Sequence, residues 1–464
     1  MKQNERIFRY NPNDSVRKFA AMPEKITLVG GGLSGGLLSV FLARRGYEVH
    51  VYERRPDMRQ GNYAGGRSIN LALSARGIRG LEKAGIAQDI LDIGIPMTGR
   101  MMHDREGNLA YQPYGKNGQA IYSISRGGLN IRLLQLADAY PNIHLYFDHK
   151  CTFCDPQTGI TRYTDVHGNQ VEDKADIVIG TDGVFSAVRD AFMNSRFNYS
   201  QSYEDHGYKE LEITPDALGD FRLNKNYLHI WPRSSYMMIA LPNTGGNFTC
   251  TLFMPWEGET SFATLNTKER VQSFFEKDFA DAVPLMPGLI DDFFGNPTGS
   301  LATFRCYPWV KERAVLLGDS AHGIIPFYGQ GMNCCFEDCI VLDDFIESCN
   351  GDWTKALEGY QQSRKPNSDA IAYLAIQNFV EMRDLVGTES FRHRKHVEHD
   401  LTELYPDLFK SQYELTTFHT TPYKYALDMG AKNDKLLNHI ISKGLESKMN
   451  DRAYMEPLIK EMLS

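Results

Sequence analysis

The sequence predicts an α/β fold with an antiparallel sheet inserted into it and a helical region at the C-terminal end. Four observations carry this. Residues 25–53 form a strand, glycine loop, helix and strand in succession. Two further apolar strands, at 175–183 and 314–319, each end in an acid beside a glycine. Between them, residues 206–256 alternate and are rich in Tyr, Thr, Phe and Trp, as an antiparallel sheet requires. Residues 354–464 then interleave acids and bases at helical spacing.

The first unit points to a dinucleotide. Ile26-Thr27-Leu28-Val29 is an apolar strand, and Gly30-Gly31-Gly32-Leu33-Ser34-Gly35 fits G-x-G-x-x-G. Leu37, Leu38, Phe41 and Leu42 give the helix, Gly46 stops it, and Glu48 to Tyr52 is the second strand. Gly30 permits the turn, Gly32 lets a pyrophosphate approach the backbone, and Gly35 lets helix and strand pack. The helix N-terminus offers free N–H groups to phosphate. Glu53 closes the second strand, placed to accept from a ribose diol. A carboxylate there repels a 2′-phosphate, so the site suits FAD or NAD rather than NADP.

Bulk properties narrow the class. At 464 residues, two or three domains are expected. A net charge of −8 argues against nucleic acid as a partner. No apolar run is long enough to span a membrane and no signal core precedes the fold, so a cytoplasmic protein is expected. Cys151 and Cys154 lack a second pair, and His393, His396 and His399 read as a solvated helix face, so no metal site is expected.

Along the chain, helices are predicted at 74–84, 127–139, 267–295 and 334–347. Short strands on a second domain are predicted at 96–122. Arg126 opens the helix after Ser125, where a cation is locally unfavourable. It either reaches a cofactor or is a surface arginine. Gly180-Thr181-Asp182-Gly183 sits at a strand's carboxyl edge, where α/β folds bind ligands. Gly318-Asp319 suits a polyol chain, and Gly329-Gln330-Gly331 turns into a helix. His322 reads as structural. The expected organisation is an extension (1–23), an FAD-binding domain in three parts (24–95, 123–200, 304–362), a substrate domain in two (96–122, 201–303), and a C-terminal helical domain (363–464).

In this order, the glycine fingerprint with Glu53, the Asp182 segment and the Asp319 segment resemble the single-component FAD-dependent aromatic hydroxylases of the p-hydroxybenzoate hydroxylase type. The expected architecture is therefore a Rossmann-like FAD-binding domain with an inserted antiparallel-sheet substrate domain. Gly66 to Leu73, His206-Gly207-Tyr208, Leu228 to Pro232, Pro326 to Asn333 and Val380-Glu381-Met382 are similar to the kynurenine 3-monooxygenase branch of that family. The resemblance implies that Arg100 pairs with the substrate carboxylate and Tyr114 hydrogen-bonds it. Asn378 and Tyr413 would contribute from the helical region, and Phe327 and Gln330 would line the ring pocket. On the FAD side it implies Ser34, Tyr52, Glu53, Arg54, Arg55 and Ala72. It further implies Arg126, Cys151, Ala187, Asp319, Met332 and Asn333, with Asp182 at the pyrophosphate. The membrane anchor of animal members has no counterpart here.

With one dinucleotide fingerprint, filled by FAD, NADPH would bind transiently elsewhere and O2 would be the second co-substrate. The implied activity is hydroxylation of L-kynurenine, a step of tryptophan degradation and pyridine nucleotide biosynthesis. The attacked carbon lies ortho to the substrate's own amino group, so no protein acid or base is assigned. A monomer or homodimer is expected. The competing readings are a related hydroxylase of another aromatic acid, an FAD-dependent amino-acid oxidase, and a flavin-binding protein without turnover.

Overall fold

The computed structural model describes residues 25–61, 70–115, 118–193, 196–385 and 388–464. The expected N-terminal extension and the Gly66 to Ile69 part of the motif lie outside the described residues. The architecture is mixed α/β. A six-stranded sheet runs in the order Val310–Lys311, Ala314–Leu316, Ile177–Gly180, Lys25–Val29, Glu48–Tyr52, Ile143–Tyr146. All neighbours are parallel except the Val310–Lys311 edge strand. Its central strands are largely buried and mostly apolar, as a sheet covered on both faces requires. Val29 aligns with Tyr52 on one side and Gly180 on the other. The register therefore gathers Gly30, Thr181 and Gly318 at one sheet end, from three distant parts of the chain.

An eight-stranded sheet forms the second layer, in the order His322–Gly323, Thr298–Tyr307, Asn198–Ile213, Phe248–Pro255, Met237–Pro242, Tyr227–Pro232, Gly99–His103, Leu109–Pro113. The strands predicted at 96–122 divide between two sheets. Gly99–His103 and Leu109–Pro113 join the eight-stranded one, whereas Ile121–Ser125 forms the centre of a three-stranded sheet between Asn70–Leu73 and Ile95–Met97. Strand Thr298–Tyr307 runs across the 303/304 division, because its antiparallel partner Asn198–Ile213 holds the whole length. A three-stranded sheet at Lys150–Asp155, Ile160–Thr164 and Gln170–Lys174 was not expected from the sequence.

The helical expectations are met closely at Ala75–Ala84, Arg126–Asp138 and Gly331–Ser348. The 267–295 stretch divides into Lys268–Asp278 and Leu289–Gly295 with a short 3₁₀ turn between them. The long helix Trp353–Val380 continues into a π-helical turn, Glu381–Leu385. Helices Glu389–Leu404, Gln412–Thr417, Tyr423–Ser442 and Arg452–Leu463 complete the C-terminal layer. An apolar core of Ile230, Met237, Phe253, Phe327, Ile371, Leu374 and Phe379 joins that layer to the eight-stranded sheet. Among the described residues, no helix is long and apolar enough to cross a membrane.

Candidate active site

The glycine loop is shaped by contacts only glycine permits. Gly30 has φ +109°, and a Cβ there would lie 2.4 Å from the Thr181 carbonyl oxygen. A Cβ on Gly35 would meet the Gly30 carbonyl oxygen at 1.9 Å, so helix and strand approach as the motif predicts. A Cβ on Gly32 meets nothing within 4 Å, which leaves that face open. Helices Leu33–Arg44 and Gly331–Ser348 both begin without a side-chain cap among the described residues. Their first N–H groups are therefore available to an anion or a polar ring edge. This donor set fits a dinucleotide.

Glu53 accepts from the Gly31 N–H through Oε2 and from the Arg55 N–H through Oε1, each at 2.9 Å. Each oxygen keeps a further lone pair for a ribose hydroxyl. Arg54 and Arg55 are exposed beside it. Tyr52 supplies its carbonyl to the Gly30 N–H at 2.8 Å, while its ring stacks between Tyr146 and Tyr163 at 4.5 and 3.9 Å. Gly318, beside Asp319, lies against Ser34: a Cβ on Gly318 would be 3.0 Å from the Ser34 hydroxyl. Asp319 accepts from the Cys335 thiol at 3.4 Å. Arg126 is exposed at the start of its helix.

Several expected cofactor residues are engaged inside the protein. Asp182 accepts from the Ala187 N–H at 2.7 Å and from the Ser320 hydroxyl at 2.9 Å, next to Ser186, which caps the helix Ala187–Asp190 by accepting from the Arg189 N–H. Burial raises the Asp182 carboxyl above its usual range. Burial, with the Asp182 charge, pushes the Cys151 thiol up to about 12. Asn333 is fully buried. Its Oδ1 accepts from the Ser74 and Gly77 N–H groups, and its Nδ2 donates to the Ala72 and Gly329 carbonyls. Only its backbone, with that of Met332, remains at the open end of the helix.

A cavity of about 600 Å³ lies between the Gly99–His103 strand and the C-terminal helices. It brings together Arg100, Tyr114, Asn378 and Tyr413. The Arg100 guanidinium carbon lies 4.9 Å from the Tyr413 ring centre and 5.6 Å from that of Tyr114. The two tyrosine rings stack at 5.4 Å. Among the described residues, Arg100 Nε and the Tyr114 hydroxyl are buried without a hydrogen-bond partner. Leaving such groups unpaired costs roughly 1–3 kcal/mol each, which an anionic ligand would recover. Burial raises the Tyr114 and Tyr413 hydroxyls, so both remain protonated donors.

Phe327 and Gln330 do not line this cavity. Phe327 packs against Phe379 at 4.3 Å and Phe253 at 4.6 Å. Gln330 donates to the Ser74 hydroxyl at 3.1 Å and accepts from the Tyr423 hydroxyl at 2.8 Å, so both ends of its amide are occupied. Asn378 donates to the Phe327 carbonyl at 2.6 Å. His322 faces Asp338 at 2.6 Å in a buried network. There Arg364 bonds Asp338 and Glu337 at 2.6 and 2.5 Å, and Arg76 bonds Glu337 at 3.0 Å. The sequence reading missed this network, along with Tyr328 and Glu381 as cavity residues. For Glu381 a signal existed: it lies three residues after Asn378 on the same helical run.

The fold and the cleft define an FAD-binding flavoprotein built like the flavin monooxygenases. Residues 24–374 match the FAD binding domain family. Among solved structures, 2-methyl-3-hydroxypyridine-5-carboxylic acid oxygenase superposes with a TM-score of 0.64 at 19% identity, covering 80% of this chain and 95% of that one. Pseudomonas aeruginosa PqsL, in complex with 2-aminobenzoylacetate, gives 0.61 at 18% identity, covering 78% and 97%. The chain belongs to the kynurenine 3-monooxygenase family. It is 46% identical to the kynurenine 3-monooxygenase of Myxococcus xanthus over 92% of both chains. It is 43% identical to that of Dictyostelium discoideum, covering 95% of this chain and 98% of the other.

Proposed function

We propose that this protein is an NADPH-consuming, FAD-dependent monooxygenase that converts L-kynurenine to 3-hydroxykynurenine. The observation that carries the substrate assignment is the buried, unpartnered Arg100 Nε beside the unpartnered Tyr114 hydroxyl. A carboxylate satisfies both, and charge-assisted bonds of this kind are the strong ones. When bound, FAD accepts reducing equivalents from NADPH and delivers one atom of O2 to the ring. The protein's own share is positional. Arg100 and Tyr114 hold the amino-acid end, and the stacked Tyr114, Tyr413 and Tyr328 rings exclude water around it. Fixing one end of a short substrate sets the reach of its aryl end, which is a large part of what an enzyme contributes. Glu53, Ser34, Asp319 and the N–H groups of Met332 and Asn333 would hold the cofactor. The ring carbon attacked is activated by the substrate's own amino lone pair, so no side chain is needed as base.

The test is NADPH consumption by the flavin-loaded enzyme with and without L-kynurenine, with the product identified by mass. Stoichiometric formation of a product one oxygen heavier is expected. Flavin reduction by an amino acid alone, without NADPH, would instead indicate an oxidase. The same reading places the enzyme in a reducing cytoplasm. All eight cysteines are free, as expected for that compartment.

A further inference from the structure

Two histidines from distant segments meet an acid on one face of the six-stranded sheet. Strands Glu48–Tyr52 and Ile143–Tyr146 pair in parallel, and the register sets His50 directly beside His144. Glu48, two residues before His50, shares that face. Both rings turn Nε2 toward one atom, Glu48 Oε1, at 3.1 Å from His50 and 3.8 Å from His144. One ligating atom from each of the three residues lies within 4.8 Å of the others. Ligands of a tetrahedral zinc ion stand about 3.3 Å apart, so small side-chain rotations close the site. An ordinary ion pair does not account for the arrangement, because it leaves His50 Nδ1 buried with no hydrogen-bond partner among the described residues. That nitrogen faces Asp173 Oδ1 at 3.8 Å. Asp173 is itself buried, held by the Thr27 hydroxyl at 2.6 Å and by the Lys25 ammonium. With Nε2 on a metal, the ring proton sits on Nδ1 and points at that carboxylate, the arrangement that orients most metal-bound histidines. The Glu48 and His144 side chains are 46% and 42% exposed, so an ion has a way in. The other such cluster among the described residues, His322, Cys334 and Asp338, is filled by Arg364, which bonds Asp338 and reaches Cys334 Sγ at 3.3 Å.

We infer that Glu48, His50 and His144 bind a divalent transition ion of the zinc type, which staples the edge strand Ile143–Tyr146 to its neighbour. Two imidazoles and one carboxylate suit zinc, whereas magnesium demands oxygen ligands. The edge strand is paired on one side only, so a second link adds to its hold. The neighbour is the strand that Glu53 closes, and none of the three ligands lines the substrate cavity. The ion therefore acts on the stability of the dinucleotide-binding sheet, since a ligand that binds only the folded chain stabilises it.

The test titrates the flavin-loaded protein, treated with EDTA and desalted, with zinc chloride and with magnesium chloride, by calorimetry and by thermal unfolding. Zinc is expected to bind saturably and to raise Tm by a few degrees, and magnesium to do neither. His144→Ala alters a partly exposed side chain and is expected to keep its flavin. It should weaken zinc binding at least about tenfold and abolish the rise in Tm. Glu48→Gln, which keeps the shape and loses the charge, is expected to weaken zinc binding as well, and it serves should His144→Ala fail to fold. His396→Ala, in the row of C-terminal histidines, is expected to leave zinc binding unchanged. Zinc binding that survives both His144→Ala and Glu48→Gln, an equal response to magnesium, or no saturable zinc binding by the wild type would overturn the inference.

Discussion

The side-chain amide of Asn378 donates to the backbone carbonyl of Phe327 across 2.6 Å. Both residues are buried, at 7% and 8% exposure, so the bond has no water to replace it. It fastens the C-terminal end of the long helix to the turn that opens the helix Gly331–Ser348. Asn378→Ala leaves that carbonyl unpaired. The expected cost is about 1–3 kcal/mol, seen as a lower Tm by thermal fluorescence. KM for L-kynurenine should rise as well, because Asn378 also lines the cavity.

Arg100→Ala removes the buried guanidinium that sits beside Tyr114 and Tyr413 in the cavity. KM for L-kynurenine is expected to rise at least about tenfold, equivalent to about 1.4 kcal/mol. Flavin content should be unchanged. Steady-state kinetics and the absorbance ratio of the purified variant check both parts, and unaltered kinetics would remove Arg100 from the site.

Glu53→Ala removes an acceptor from the Gly31 and Arg55 N–H groups as well as from the ribose. The variant is expected to purify with reduced FAD and to bind added FAD at least about tenfold more weakly. Full occupancy would count against the ribose assignment.

Arg364→Met breaks the buried network. Arg364 is 2% exposed, and Asp338 is fully buried. Burial works to raise the Asp338 carboxyl, but the His322 and Arg364 charges overcome it and hold the carboxyl below its usual value. Removing one partner of a buried pair costs roughly 3–5 kcal/mol. A large fall in Tm is expected. Asp338 also accepts from the Gly318 N–H at 3.2 Å, so the Asp319 turn should loosen and FAD retention should drop.

His229 gives the stability a defined acid limb. Burial pushes it down to about 4, whereas an unfolded imidazole titrates near ~6.5. As pH falls, the unfolded chain takes up the proton first. This group therefore costs nothing above about 6.5 and destabilises progressively between there and about 4. Tm is expected to fall by a few degrees over that window, about what 1–2 kcal/mol produces in a large domain. His229→Asn should remove that part of the decline.

What the sequence reveals is what is local or strictly periodic. The fingerprint is readable because strand, glycines, helix and Glu53 fall within thirty residues, and each glycine's role is steric. The three apolar strands are readable because a strand covered on both faces must be apolar throughout. The fate of side-chain amides is not readable. The resemblance implies Gln330 and Asn378 as substrate contacts; the structure adds that both amides bond protein groups, whose partners Ser74, Tyr423 and Phe327 are 256, 93 and 51 residues away. The division of the 95–125 strands between two sheets is hidden for the same reason. Arg76 and Arg364 look like surface cations on amphipathic helices; only long-range partners make them interior.

The four bonds of the Asn333 side chain have a consequence for how the molecule is assembled. Three of them tie the mouth of one helix to Ala72, Ser74 and Gly77, more than two hundred residues earlier, and the fourth holds the Gly329 carbonyl of the turn before it. An early and a late segment of the chain are therefore clasped together beside the glycine turn that opens that helix. Ribosomal synthesis must pass residue 333 before the clasp can engage, so a nascent chain halted short of it would carry the Gly30 to Gly35 loop and Glu53 without the clasp.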